Sequence, residues 1–319
     1  MLHKEIDSLY VYLQSQQTAQ KYLFECYKNI DGIDAETKSY QNCNVFMYYL
    51  DHGIQFYESG KKLDPLMQPI LYFYGMVHLI KGLLLTKRPN YPESTTVLAH
   101  GVSARKRKKK NYTFIEDEVK VQHNGLFPYL SEHLYSIKRM PFEKITMKGL
   151  LSLIPELSHL FQFQQQQKLV KVGHVNSDSL IFSKNLLDTY HLTERAFIER
   201  IKPYLPNIDG VNSESLHVQV NLSSPFIDTV GPFFIHQDQS IYFPTERENF
   251  ISITEVMVHY LLLYNLSMLS RYEAEWWGDL LHLKSEADYP FIYEFLKVTS
   301  NKIPYLIGSE LYQSYDFSS

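Results

Sequence analysis

Residues 69–85 read PILYFYGMVHLIKGLLL, a run of seventeen that is apolar almost throughout and carries His78 and Lys81 near its middle. Apolar side chains at Ile70, Leu71, Tyr74, Val77, Leu79 and Leu83 to Leu85, with His78 only partly apolar, wrap most of the helical circumference. That is the pattern of a helix buried on several sides. A membrane span needs about 20 uncharged residues. Here Lys81 interrupts the run, Lys87 and Arg88 close it, and Pro89 stops it. The stretch therefore predicts the central helix of a soluble bundle.

With 319 residues the chain exceeds a usual domain, so two lobes are predicted. The Gln-rich run at residues 164–167 is where the pattern suggests a cut, giving an N-terminal helical lobe (residues 1–163) and a C-terminal α+β lobe (residues 164–319) packed on it. The formal net charge of −4 gives no general attraction to nucleic acid or anionic lipid, so such contacts need a local patch. The two cysteines, Cys26 and Cys43, exclude a disulfide framework and read as buried thiols. The opening residues MLHKEIDSLY lack the layout of a secretory signal, which predicts a cytoplasmic protein. Asn-x-Ser/Thr triplets at Asn111, Asn221 and Asn265 then carry no meaning.

Along the chain, apolar stripes at Ile6, Leu9, Tyr10 and Leu13 and again from Ala19 to Ile30 predict two helices or one bent one, ended at Asp31-Gly32. A third helix is predicted over residues 45–57, with Val45, Tyr48, Tyr49, His52 and Phe56 as its apolar face. Asp64-Pro65 reads as the opening of the core helix. Alternation from Val119 to Phe127, interrupted by Asn124-Gly125, predicts a β-hairpin. Thr146 reads as the cap of a helical stretch to residue 163 that Pro155 splits, and Thr193 as the cap of a helix reaching Tyr204. Leu216, Val218, Val220 and Leu222 alternate as in a half-buried strand, with a hairpin over residues 233–243 beside it. Residues 248–270 predict a second long buried helix with His259 and Asn265 inside it; two last helices follow over 289–298 and 304–312. The fold class is mainly α (α+β), a helical bundle with two small antiparallel β elements.

Familiar catalytic signatures fail. Gly101-Val102-Ser103-Ala104-Arg105 has an arginine where a nucleophile elbow closes on glycine, and Gly60-Lys61 lacks the rest of a phosphate loop. No zinc cage is spelled out, and no metal or cofactor is predicted. The sharpest local feature is the run Arg105, Lys106, Arg107, Lys108, Lys109 and Lys110, a candidate contact for an acidic protein, a nucleotide or nucleic acid. The alternative is a solvated loop answered by Glu116, Asp117 and Glu118. His78 and Lys81 lie three apart on one helix face, either an anion-binding pair or a lysine with a distant carboxylate and a snorkelling stem. His100 is either a third member of that polar site or the root of a turn. Arg271, Trp276 and Trp277 are interface candidates, or a lid over the core.

These residues also carry a resemblance. Gln68-Pro69-Ile70-Leu71, Tyr74-Gly75, His78-Leu79 and Lys81, with Leu98-Ala99-His100-Gly101-Val102-Ser103 and Arg105 to Lys109, resemble the YaaC-like family of bacterial proteins. Asp117-Glu118-Val119-Lys120, Gln122, Gly125-Leu126 and residues 150–157 and 260–278 agree. The family has no established activity. Its helical core is similar to HEPN-type bundles, many of them RNases with an Arg and a His a few residues apart, but no Arg here is followed by His at that spacing. Genes of the family often neighbour that of IMP dehydrogenase, so the resemblance implies a link to purine metabolism and IMP dehydrogenase as a candidate partner. Together these readings predict a non-enzymatic binding or regulatory protein. The alternatives are an RNA-cleaving or nucleotide-processing enzyme using His78, Lys81 and His100, and a structural subunit with an exposed patch near Trp276 and Trp277.

Overall fold

In a computed structural model, which describes residues 2–104, 112–226, 231–284 and 286–314, the apolar run becomes α4 (Gln68–Lys87). It follows α1 (Leu2–Tyr12), α2 (Gln16–Tyr27) and α3 (Ala35–Lys61). Then come β1 (Val102–Ala104), β2 (Glu118–Val121), α5 (Leu126–Tyr135), β3 (Lys144–Thr146), α6 (Met147–Leu151) and α7 (Ser158–Phe163). Next are β4 (Leu169–His174), β5 (Ser179–Ser183), α8 (Asn185–Tyr190), α9 (Glu194–Ile201), β6 (Ile208–Ser213), β7 (His217–Leu222), β8 (Phe234–Ile235) and β9 (Ser240–Pro244). The chain ends in α10 (Glu255–Tyr272), α11 (Ala274–Leu283) and α12 (Asp288–Gln313). The fold is mainly α with small antiparallel sheets, three of them among the described residues.

Two compact units emerge, one from Met1–Phe114, Glu118–Arg139 and His259–Ser319, the other from Ile115–Asp117 and Met140–Val258. The run at residues 164–167 therefore lies inside the second unit, between α7 and β4. The first unit is built from both ends of the chain because its buried tyrosines reach across it. Tyr22 Oη donates to the carbonyl of Leu311 at 2.8 Å, and Tyr10 Oη to that of Pro304 at 2.8 Å.

At the centre of this unit α4 packs antiparallel on α3. Gly53 and Gly60 on α3, and Gly75 and Gly82 on α4, each stand where a Cβ would strike a neighbour on the other helix. The absent side chains let Leu79, Tyr72, Tyr57 and Leu50 sit down onto the opposite backbone. α4 is long and apolar enough to cross a membrane by length and composition, but 72% of its apolar window is buried inside the fold, as in a core helix.

Several local expectations change. The buried face of α3 is Cys43, Phe46, Leu50, Gly53, Tyr57 and Gly60, while Val45 and Tyr48 are 47% and 54% exposed. The glycines, which carry no hydrophobic signal, mark the true interface. α4 opens at Gln68 with Pro69 in its first turn, not at Asp64-Pro65. Asn124-Gly125 does not close a hairpin: β2 pairs back to β1, with Ala104 opposite Val119, and Gly125 caps α5 instead. The last two predicted helices are one, with Pro304 accommodated inside α12. Thr146, Thr193 and Pro155 act as expected, each threonine hydroxyl accepting from the amide three residues on.

The second unit holds two three-stranded sheets, ordered β4-β9-β8 and β5-β7-β6. Val218, Val220 and Leu222 point inward as the alternation requires, whereas Leu216 lies ahead of β7 and is exposed, and β8 and β9 form the expected hairpin, though in the other sheet. Val172, Leu180, Phe182, Phe197, Phe233 and Phe243 make a common core.

Candidate basic and aromatic site

The outward stripe of α4 includes Tyr74, His78 and Lys81, half-buried residues on a helix that between them is sealed in the core. Their spacing, four then three, keeps them on one face. Alongside stands the outward face of α3. The rings of Tyr49, His52 and Phe56 lie 5.8, 5.6 and 5.7 Å from that of His78, with Phe56 stacked and His52 edge-on. Lys81 Nζ sits 5.7 Å from the centre of the Tyr49 ring. The apolar stripe read as the core face of α3 is thus a wall of this surface.

On the far side of Tyr74 the site is completed by His100 and α10. Tyr74 lies 6.2 Å from the His100 ring, which also meets Phe73 at 4.9 Å and Tyr264 at 5.8 Å. Arg271 Nη1 donates to Tyr74 Oη at 3.3 Å, and its Nε donates to the carbonyl of Ser267 at 2.8 Å. His100 is placed by its backbone, whose carbonyl accepts from Tyr260 Oη at 2.9 Å and from the amide of Phe127 at 3.1 Å. This clamp needs two glycines. Gly101 has φ +76° and Gly125 φ +125°, and a Cβ on Gly125 would lie 2.4 Å from the Gly101 backbone.

The charges share one sign. His78 is pushed down to about 4, first by burial and then by Lys81 and His52. His100 is lowered by burial, then by Arg271 and Lys81. Lys81 is lowered by burial alone, and among the described residues no carboxylate lies within ion-pair distance of it. The distant carboxylate that the sequence allowed for Lys81 is not found there. Among the described residues Nδ1 of His78 is buried without a hydrogen-bond partner. Both imidazoles thus stand in the field of Lys81, with Arg271 acting on His100 from the far end. Neutral imidazoles, one lysine and one arginine among aromatic rings are equipped to hold an anion.

Arg105, Lys106, Arg107, Lys108, Lys109 and Lys110 lie outside the described residues. Trp277 is fully buried, with Nε1 donating to the carbonyl of Leu66 at 3.1 Å, and Trp276 packs edge-on against Tyr112 at 5.0 Å. Leu66 itself, with Leu63, Met67 and Tyr272, is exposed. The second unit has a polar cavity of about 640 Å³ lined by Lys148, Lys168, His191, Glu246 and Arg247 among others, which no sequence motif marks. There Lys168 is paired to Glu246 at 2.6 Å, so both signs are present. No group of three or more His, Cys, Asp or Glu among the described residues is placed to hold a metal ion.

No curated protein and no solved structure matches the chain. The model of the YaaC-like protein family matches residues 11–311, and the chain therefore belongs to the YaaC-like family.

Proposed function

We propose that this YaaC-like protein is a cytoplasmic, non-enzymatic binding or regulatory protein that recognises phosphate-bearing ligands. The recognition surface is the strip made by His78, Lys81, His100 and Arg271. The supporting observation is Lys81, half-buried beside two imidazoles with no carboxylate among the described residues to neutralise it. A buried-side cation without a counter-ion is costly, and an anionic ligand removes that cost. The basic run from Arg105 to Lys110 begins five residues after His100 and adds a second, sequence-based contact for the same ligand or for an acidic partner. A link to purine metabolism, with IMP dehydrogenase as partner, belongs to this proposal through the family resemblance alone.

The test is a calorimetric titration with inorganic pyrophosphate. Lys81→Met and Arg271→Gln should each weaken binding by about tenfold or more, the scale of a lost charged hydrogen bond. Binding that survives both changes refutes the site. Replacing all six residues from Arg105 to Lys110 by Ser and finding pyrophosphate binding and recovered cell partners unchanged removes the basic run from the proposal.

One observation favours a second reading. A neutral imidazole can take a proton as general base, and the neighbouring Lys81 ammonium can hold the phosphate and give a proton to the leaving oxygen, a composition suited to phosphodiester cleavage. RNA incubated with the protein would then be cut, and His100→Ala would abolish the cutting.

A further inference from the structure

The stripe Val45, Tyr48, Tyr49, His52 and Phe56 is an oddity on the surface of a helix that already has a full buried face. Tyr48 is 54% exposed, stacks on His52 at 6.4 Å and 23°, and makes no hydrogen bond or ion pair among the described residues. His52 is exposed and leads edge-on to His78. Planar rings therefore run from open solvent at Tyr48, through His52, to His78, against which Tyr49 and Phe56 also pack, with Lys81 beside the Tyr49 ring. Arg271 reaches this surface from α10 through Tyr74 Oη, and Tyr74 stands seven residues before Lys81 on α4, a rise of about 10 Å along the helix. The outward residues of α3 among these rings, Asn44 and Gln55, are uncharged, and the carboxylate of Asp51 accepts from Gln55 Nε2 at 3.2 Å.

Resting on the anion-binding reading, we infer that the ligand of this strip is single-stranded nucleic acid, with bases stacked on Tyr48, His52 and Tyr49 and backbone phosphates held by Lys81 and Arg271. A simple anion would need the cations and have no use for the rings. Rings beside cations match the way single strands are held: stacking that tolerates any base, and charge that follows the backbone.

The experiment is fluorescence anisotropy of the full chain with short labelled oligonucleotides, one arm RNA and one DNA, competed with inorganic polyphosphate. Tyr48→Ala and His52→Ala should each weaken oligonucleotide binding by about fivefold or more, as loss of a stacked base does, and Tyr48→Ala, which touches neither His78 nor Lys81, should leave polyphosphate binding unchanged. Both side chains are exposed, so an unchanged melting temperature separates lost contact from lost fold. Oligonucleotide binding that is indifferent to both substitutions, or that polyphosphate displaces as readily as unlabelled RNA does, overturns the base-stacking inference and leaves the anion site standing. If wild-type protein binds neither oligonucleotide nor polyphosphate, both readings fall.

Discussion

His78 shows how one polar residue in an apolar helix reports its surroundings. Burial, then Lys81 and His52, push it down to about 4 from the 6.5 of an open imidazole. Between those values the unfolded chain binds the proton and the folded chain does not, so stability falls as the pH drops through this window. Above it the ring is neutral in both states and adds no slope. His78→Asn should therefore make the decline in urea midpoint between pH 6.5 and 4 shallower than in the wild type. Equal slopes would show that the ring is not held neutral. His78, Lys81 and His100 are visible in the sequence because each departs from its local pattern. Arg271 stands out for another reason, as an interface candidate, and Tyr49, His52 and Phe56 read as core. Their convergence depends on which faces of α3, α4 and α10 meet, and side-chain type does not encode that.

At the scale of elements, the pairing of α3 with α4 is set by what is missing. A Cβ on Gly53 would lie 2.6 Å from Cγ and Cδ2 of Leu79 and 3.1 Å from the carbonyl oxygen of Gly75. Gly53→Ala gains about 1 kcal/mol of helix propensity but forces the two helices apart, which costs about 1–3 kcal/mol. The expected outcome is a net loss of stability. Gly278 on α11 has open space where a methyl would stand, with nothing within 4 Å, so Gly278→Ala should raise stability by about 0.5–1 kcal/mol. Denaturant melts of the two variants, moving in opposite directions, check the interface. Helix periodicity locates α4 and α10, whose apolar residues surround them, but misassigns the buried face of α3, where glycine holds the contact. The caps at Thr146 and Thr193 are legible because capping is local chemistry. Pro304 is not: a proline inside a long helix looks the same in sequence as one that ends it.

For the molecule as a whole, the order of the chain is not the order of its units. Residues 259–319 return to complete the first unit, and Tyr10 and Tyr22 depend on carbonyls in α12 for their hydrogen bonds. A fragment of residues 1–139 should therefore fail to fold cooperatively, whereas residues 140–258, which enclose their own aromatic core, should melt as a unit. Circular dichroism melts of the two fragments decide this, and a cooperative transition in residues 1–139 would contradict it. Chain length suggests two lobes but gives no sign of this interleaving, because no linker-like stretch marks where an inserted unit begins. The β1–β2 pairing has a further consequence. Ala104 and Val119 face each other, and Phe114 between them is fully buried, so the basic run has a fixed residue on either side of it in sequence. A ligand that met both His100 and the basic run would see those six cations at a local concentration set by the chain length between Ala104 and Phe114, whatever the amount of protein in the cell.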